Sequence, residues 1–256
     1  MSGATLELYR IAKHFQGVVA VDSVSMVAEA GKVTGLIGPN GSGKTTTMNI
    51  VTGLYPTDAG RVTIDDVEIS RLLPHQIAAL GVARTFQNIR LLNEQTVIQN
   101  VMLGAHRHHG ASLLDVILRL PKMARSERQE LRRCDDLLAL IGIRHLADVQ
   151  VGSLSYGDRR RVEIARALAT QPRLLLLDEP AAGMNFSEKQ ALAALIETIQ
   201  EMGVTVLLIE HDIDFVSHVT DHIVVLNFGR EIAEGTPAEI KQMPSVIEAY
   251  LGTEDA

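Results

Sequence analysis

The chain has 256 residues, 46% of them hydrophobic and 21% charged, with 31 acidic against 24 basic side chains for a net charge of −7. That length and apolar content suit a soluble globular protein with a full core, either one large domain or two small ones. The acidic balance argues against a general nucleic-acid surface, which needs a basic face. A lone cysteine, Cys134, excludes an internal disulfide and fits a reducing compartment. It sits in a polar, helical-looking stretch and is read as structural filler. Residues 1–10 lack the apolar core of a signal peptide, and no apolar run approaches the ~18–20 residues of a membrane helix. A cytoplasmic location is expected, with any membrane association supplied by a partner.

In sequence order, residues 6–10 and 22–27 alternate polar and apolar side chains and are expected as strands, and a turn at Ala30 and Gly31 leads into the apolar run 33–37. Next comes Gly38-Pro39-Asn40-Gly41-Ser42-Gly43-Lys44-Thr45-Thr46, followed by a helical segment, 45–52. Strand, Gly-rich loop, Lys, hydroxyl and helix together form a phosphate-binding loop, or P-loop. Gly38, Gly41 and Gly43 let the backbone curl with its N–H groups facing inward, and those groups with the helix N-terminus suit phosphate oxygens. Lys44 can reach the β- and γ-phosphates, and Thr45 offers a hydroxyl to Mg²⁺.

Beyond Gly53 and Pro56, residues 60–69 read as a strand with a tight turn, 74–80 as a short helix and 81–86 as a short strand. From 88 to about 149 the pattern turns helical, with helices expected at 96–105 and 122–141. Between them lie His106, His108 and His109, whose spacing fits no closed metal-ligand set, and an apolar patch at 113–120. The mixed-charge stretch 125–133, with Glu127 and Glu130 among arginines, is expected to be a solvated face. After Val151 the strand–helix alternation resumes, with strands at 174–177, 204–209 and 223–226, helices at 187–202 and 212–219, and two short helices over 238–243 and 245–251. Such alternation predicts a buried parallel sheet.

Two further constellations carry chemistry. The apolar run 174–177 ends in Asp178-Glu179-Pro180. Asp178 at a strand end can hold Mg²⁺ through a water, and Glu179 can orient or deprotonate an attacking water. Leu154-Ser155-Tyr156-Gly157-Asp158 opens a helix running to Ala169. Ser155 and Asp158 form a capping-box pattern, and the same helix start is a second candidate anion site.

Taken in order, the P-loop, Gln87, Leu-Ser-Tyr-Gly-Asp, Leu-Leu-Asp-Glu-Pro and His211 resemble the ATP-binding cassette (ABC) ATPases over nearly the whole sequence. The resemblance implies an α/β fold: a P-loop NTPase (RecA-like) core, 1–87 and 153–256, with an antiparallel β subdomain and an inserted α-helical subdomain at about 88–152. It implies ATP and Mg²⁺ as cofactors and two cassettes paired head to tail, each ATP lying between the P-loop of one and the signature helix of the other. Carried over by motif, Phe15 stacks on adenine, residues 38–46 hold the phosphates, and Thr45, Gln87 and Asp178 serve the metal. Gln87 also touches the attacking water and links to the helical subdomain. Glu179 is the catalytic base, His211 contacts the γ-phosphate, and Ser155 and Gly157 hold the γ-phosphate of the partner's ATP.

Two departures stand out. The signature has Tyr156 and Asp158 where the family usually has Gly and Gln, so a carboxylate faces a polyanion unless Arg159 to Arg161 offset it. After Pro180 the loop ends at Asn185, where the family commonly has Asp. The Ala-Ala-Gly-Met-Asn, Arg-Thr-Phe-Gln and Ile-Glu-His-Asp stretches and the ending Val246 to Gly252 look like the longer ATPase subunit of branched-chain amino acid importers. The partners implied are a second cassette, identical or different, transmembrane permease subunits and, indirectly, a periplasmic solute-binding protein, with no nucleic acid. Two other readings stay open: the ATPase of a lipid or lipopolysaccharide exporter, and a non-transport cassette acting on nucleic acid or ribosomes.

Overall fold

The structure, a computed structural model, describes residues 2–105 and 121–251. The histidine cluster, the apolar patch at 113–120 and Gly252 lie outside the described residues. The protein divides into two compact units, Met1–Gln87 with Arg173–Ala256, and Asn88–Pro172.

The first unit holds two sheets. One is antiparallel, built from β1 (Leu6–Phe15), β2 (Val18–Ala28), β4 (Ala59–Ile64) and β5 (Val67–Glu68) in the order β2-β1-β4-β5. The other is mostly parallel, ordered β10-β9-β3-β8-β7-β6, from β3 (Val33–Ile37), β6 (Val82–Arg84), β7 (Leu174–Asp178), β8 (Thr205–Glu210), β9 (His222–Asn227) and β10 (Arg230–Gly235). Every residue of β3, β7 and β8 is buried. That is why these strands read as continuous apolar runs rather than alternations. Leu6, Met26, Val62, Leu36, Leu176 and Leu207 share one core cluster, so the antiparallel sheet packs its apolar face on the parallel one. The helices of this unit are α1 (Lys44–Val51), α2 (Pro74–Ala79), α6 (Phe186–Glu201), α7 (Ile213–Val219), α8 (Pro237–Ile240) and α9 (Pro244–Leu251).

Two differences from the sequence expectation lie here. β1 runs five residues beyond Arg10, through register shifts between Leu8 and Ile11 and a left-handed Arg10 at φ 46°. The bulge scrambles the alternation that marks a strand. β10 was not anticipated, because Arg-Glu-Ile-Ala-Glu-Gly is a charged edge strand, antiparallel to β9.

The second unit is built around α3 (Val97–Ala105), α4 (Pro121–Leu140) and α5 (Tyr156–Ala169). Asn100, fully buried, ties its loop together by accepting from Leu92 N–H at 2.8 Å and donating to the Leu92 and Thr96 carbonyls at 3.0 Å. The boundary expected at 152 moves to Pro172: α5 belongs to this unit, packing along α3 and α4 with Val162, Ile164, Ala165 and Leu168 buried. The expected boundary follows the strand–helix alternation that resumes after Val151, but α5 itself packs with helices. The solvated face expected at 125–133 fails at Glu130, which is buried with Cys134 on the same side of α4. Burial pushes the Cys134 thiol up to about 11, with Glu130 adding to it, consistent with an inert, structural sulfur.

Candidate functional site

The parallel register sets the site. Ile37 of β3 pairs with Glu210 of β8, and Ile209 pairs with Asp178 of β7, so three strands end along one edge. Gly38, Glu179 and His211 each follow directly. Ligands of open α/β sheets bind outside these carboxyl ends.

At that edge Lys44 is buried, and its Nζ donates to the Gly38 carbonyl at 2.6 Å and the Pro39 carbonyl at 2.9 Å. Burial lowers its pKa, while Glu179, Asp178 and Glu210 act in the opposite direction, so the three carboxylates lie within electrostatic reach of its ammonium. Helix α1 starts at a left-handed Gly43, φ 102°, and no side chain caps it. The first-turn N–H groups are therefore left for a ligand. Thr45 and Asn40 are exposed, Pro39 and Thr46 half-buried, and Gly38 and Ser42 buried beneath the loop.

Asp178 is 7% exposed and pairs through Oδ2 with Arg84 Nη2 at 2.7 Å. Arg84 donates also to Asn49 Oδ1 at 2.8 Å, which anchors it to α1, and its guanidinium lies 5.2 Å from the Phe86 ring centre. Glu179 is half-buried with φ 46°, in a left-handed conformation rare for a side-chain-bearing residue. Its backbone N–H is fixed by the Ile209 carbonyl at 2.9 Å, and its Oε2 accepts from Gln87 Nε2 at 3.1 Å. Backbone strain at a carboxylate on a ligand-binding edge is the pattern of a functional position.

Glu210 is 1% exposed and accepts from Ala181 N–H at 2.8 Å and His211 N–H at 3.3 Å. Burial raises its pKa, against the pull of those hydrogen bonds and of the His211 ring. His211 itself is half exposed, with Nδ1 3.8 Å from Glu210 Oε2. Phe15, 38% exposed, meets Tyr55 edge-on at 5.2 Å and has Lys13 Nζ 5.5 Å from its ring centre. The first unit thus gathers Gly38 to Thr46, Gln87, Asp178, Glu179 and His211 on the described residues.

Ser155 and Gly157 belong to the second unit. Ser155 caps α5, its Oγ accepting from Asp158 N–H at 3.1 Å and donating to Asp158 Oδ2 at 2.8 Å. Of the three arginines expected to offset Asp158, Arg161 pairs with it at 3.2 Å. Arg159 donates to the Gly152 carbonyl at 2.6 Å, and Arg160, fully buried, pairs with Glu163 at 2.7 Å and donates to the Tyr156 hydroxyl at 3.0 Å. Tyr156 thus supports the helix interior rather than the phosphate end. Asn185, in the first unit, caps α6 by accepting from Glu188 N–H at 3.0 Å and from Ser187 Oγ at 2.7 Å.

Two contributors escaped sequence reading. Arg84 and Glu210 stand out in the sequence only as parts of the resemblance, in Arg-Thr-Phe-Gln and Ile-Glu-His-Asp. The signal available for each was its position at a strand's last residue, where parallel strands deliver side chains to the site.

The family model described as ABC transporter matches residues 21–182, and a second, described as branched-chain amino acid ATP-binding cassette transporter, matches 230–256. The sequence is 44% identical to the high-affinity branched-chain amino acid transport ATP-binding protein BraF of Pseudomonas aeruginosa, over 98% of this protein and 99% of that one. It is 41% identical to LivG of Escherichia coli K12, a protein of the same description, with the same coverage. Among solved structures, the ADP conformation of an ATP-binding cassette of an ABC transporter superposes with a TM-score of 0.85 at 34% identity, covering 97% of this protein and 99% of that one. No helix among the described residues is long and apolar enough to cross a membrane. The protein belongs to the ABC transporter family of ATP-binding cassettes, and its fold is the P-loop NTPase fold of that family.

Proposed function

We propose that this protein is the ATP-hydrolysing subunit of an importer for branched-chain amino acids, working in a pair of cassettes docked on transmembrane permease subunits and fed by a periplasmic solute-binding protein. The observation that carries the ATPase reading is Glu179, held by Gln87 at 3.1 Å on the edge where Lys44 emerges. The match at 230–256 and the descriptions of BraF and LivG support the solute class over lipid export.

In this reading Phe15 stacks on the adenine, and the N–H groups of residues 38–46 with Lys44 bind the phosphates. Glu179 takes the proton of the attacking water, oriented by the Gln87 amide. His211, exposed beside the buried Glu210, contacts the γ-phosphate. Ser155 and Gly157 bind the γ-phosphate held by the partner cassette. Thr45, Gln87 and Asp178 offer oxygens alone, the donor set Mg²⁺ prefers when phosphates and waters complete its shell. Arg84 engages one oxygen of Asp178, leaving the carboxylate able to hold a metal-bound water through the other. When bound, Mg²⁺ would neutralise charge on the β- and γ-phosphates.

The test is transport by the whole complex in proteoliposomes. ATP-dependent uptake of leucine, isoleucine and valine, with no uptake of glutamate, is the expected result. Uptake that is unselective, or absent while ATPase activity persists, would overturn the solute assignment.

A further inference from the structure

Arg84 ends β6 and reaches in two directions. Its Nη2 donates to Asp178 Oδ2 on β7 at 2.7 Å. Its Nη1 donates to Asn49 Oδ1 on α1 at 2.8 Å and to Thr52 Oγ1, at the end of that helix, at 3.3 Å. The ion pair at the centre of this bridge is buried on both sides.

The α1 end of the bridge has a particular address. Thr45, Asn49 and Thr52 follow one another at i, i+4 and i+7, a spacing that keeps them on one face of the helix. Thr45, at the top of that face, is exposed beside the P-loop. The other end of the bridge is Asp178. Arg84 thus spans from one residue assigned to the metal to the helix face that carries another. Its neighbour Thr85, also buried, steadies the same strand end. Thr85 Oγ1 accepts from Asp178 N–H at 3.4 Å, and Thr85 N–H donates to the Leu176 carbonyl at 2.9 Å. Residues 84 and 85 together hold both the carboxylate and the backbone of Asp178.

A buried ion pair is weak evidence for stability, because the cost of desolvating two charges offsets much of their attraction. Here the arginine is also incompletely satisfied: its Nε is buried with no hydrogen-bond partner among the described residues. A packed apolar pair would serve the fold as well. It could not hold a carboxylate at a fixed distance from a helix. A planar guanidinium can, whereas a lysine ammonium is a single point charge on a flexible stem.

We propose that Arg84 is a positioning residue for the metal, tying Asp178 to the Thr45 face of α1 so that the two sides of the Mg²⁺ site keep one spacing. Groups behind a metal-holding side chain orient it, and their loss weakens metal binding. The proposal rests on Asp178 and Thr45 serving Mg²⁺.

The test is equilibrium binding of a non-hydrolysable ATP analogue to the full-length protein, in EDTA and across a MgCl₂ titration. Arg84→Lys keeps the charge and loses the fork. The Mg²⁺ concentration that gives half of the metal-dependent tightening should rise about tenfold in this variant. Asn49→Ala leaves the ion pair and cuts the anchor on α1, and there the same concentration should rise about three- to tenfold. Binding in EDTA should be unchanged in both, because the P-loop is untouched. An unchanged Mg²⁺ requirement in either variant would overturn the tie. Weakening of equal size in EDTA and in MgCl₂ would overturn it too, leaving Arg84 a structural cation only. Asn49→Ala keeps the test decisive if Arg84→Lys does not fold. Wild-type binding that ignores Mg²⁺ would instead overturn the metal assignment of Asp178 and Thr45.

Discussion

Two helix starts in this molecule are candidates for phosphate, and they are built in opposite ways. Helix α1 begins at Gly43, which has no side chain to offer, so its first N–H groups have no local partner. Helix α5 begins at Ser155, whose hydroxyl already accepts from Asp158 N–H and donates to the Asp158 carboxylate. The first end is incomplete without an anion. The second is satisfied by its own residues and must exchange an internal hydrogen bond to take one. The difference suggests a division of labour. In the proposed mechanism the P-loop end would supply standing affinity, and the signature end a contact formed only when something better than Asp158 arrives.

The largest effect comes from the carboxylate beside the P-loop end. Glu179→Gln keeps the size and the Gln87 contact but cannot accept a proton. Steady-state ATP hydrolysis should fall about 10²- to 10⁴-fold with ATP binding retained, and the protein should accumulate as a dimer with ATP. A monomer that hydrolyses ATP at the normal rate would break both the base assignment and the paired-cassette scheme. Next in size is Gly43→Ala. A Cβ there would lie 2.6 Å from the Ala20 carbonyl oxygen, and φ 102° costs a side-chain-bearing residue about 1–2 kcal/mol. The loop must shift to relieve both, so equilibrium ATP binding should weaken about tenfold or more, since each 1.4 kcal/mol is tenfold.

How much of this was legible in the sequence follows from how local each feature is. The P-loop, the buried strands and the Ser155 cap are written in contiguous residues whose chemistry is read directly. The Arg84–Asp178 pair joins positions 94 residues apart, and only strand order makes β6 and β7 neighbours. Glu210 looks like an ordinary surface acid until the register sets it beside Ile37 in the core. Arg160 likewise reads as one of three arginines that could offset Asp158, yet the helical phase turns it inward onto Glu163. Charged side chains whose partners are distant, or whose helix phase is set by packing, are where local reading runs out.

Ser155→Ala sharpens the comparison at the second helix. Loss of the cap should cost about 1 kcal/mol, seen as a melting point lower by roughly 2–4 °C for a protein of this size. ATP affinity of the isolated subunit should be unchanged, because the P-loop end is untouched, while hydrolysis by the assembled pair should fall. Weakened ATP binding in the isolated subunit would mean that the two ends do not divide the work as proposed.

The smallest effect is a pH dependence confined to the P-loop end. Burial raises the pKa of Glu210, whereas an exposed glutamate titrates near 4.3. From about that pH upward, the folded protein holds a proton at Glu210 that the unfolded one has released, so the folded state binds more protons. Stability from this group is therefore fully present below the unfolded value and declines as pH rises through the raised folded one. Glu210→Gln cannot titrate, and its amide oxygen can still accept from Ala181 N–H. The melting point of Glu210→Gln relative to the wild type should therefore climb, by a few degrees at most, between about pH 4 and pH 7. Parallel melting curves across that range would show that the hydrogen bonds from Ala181 and His211 outweigh burial. Glu210 would then be a standing negative charge facing Lys44, and the P-loop end would carry one more carboxylate for the incoming phosphates to meet.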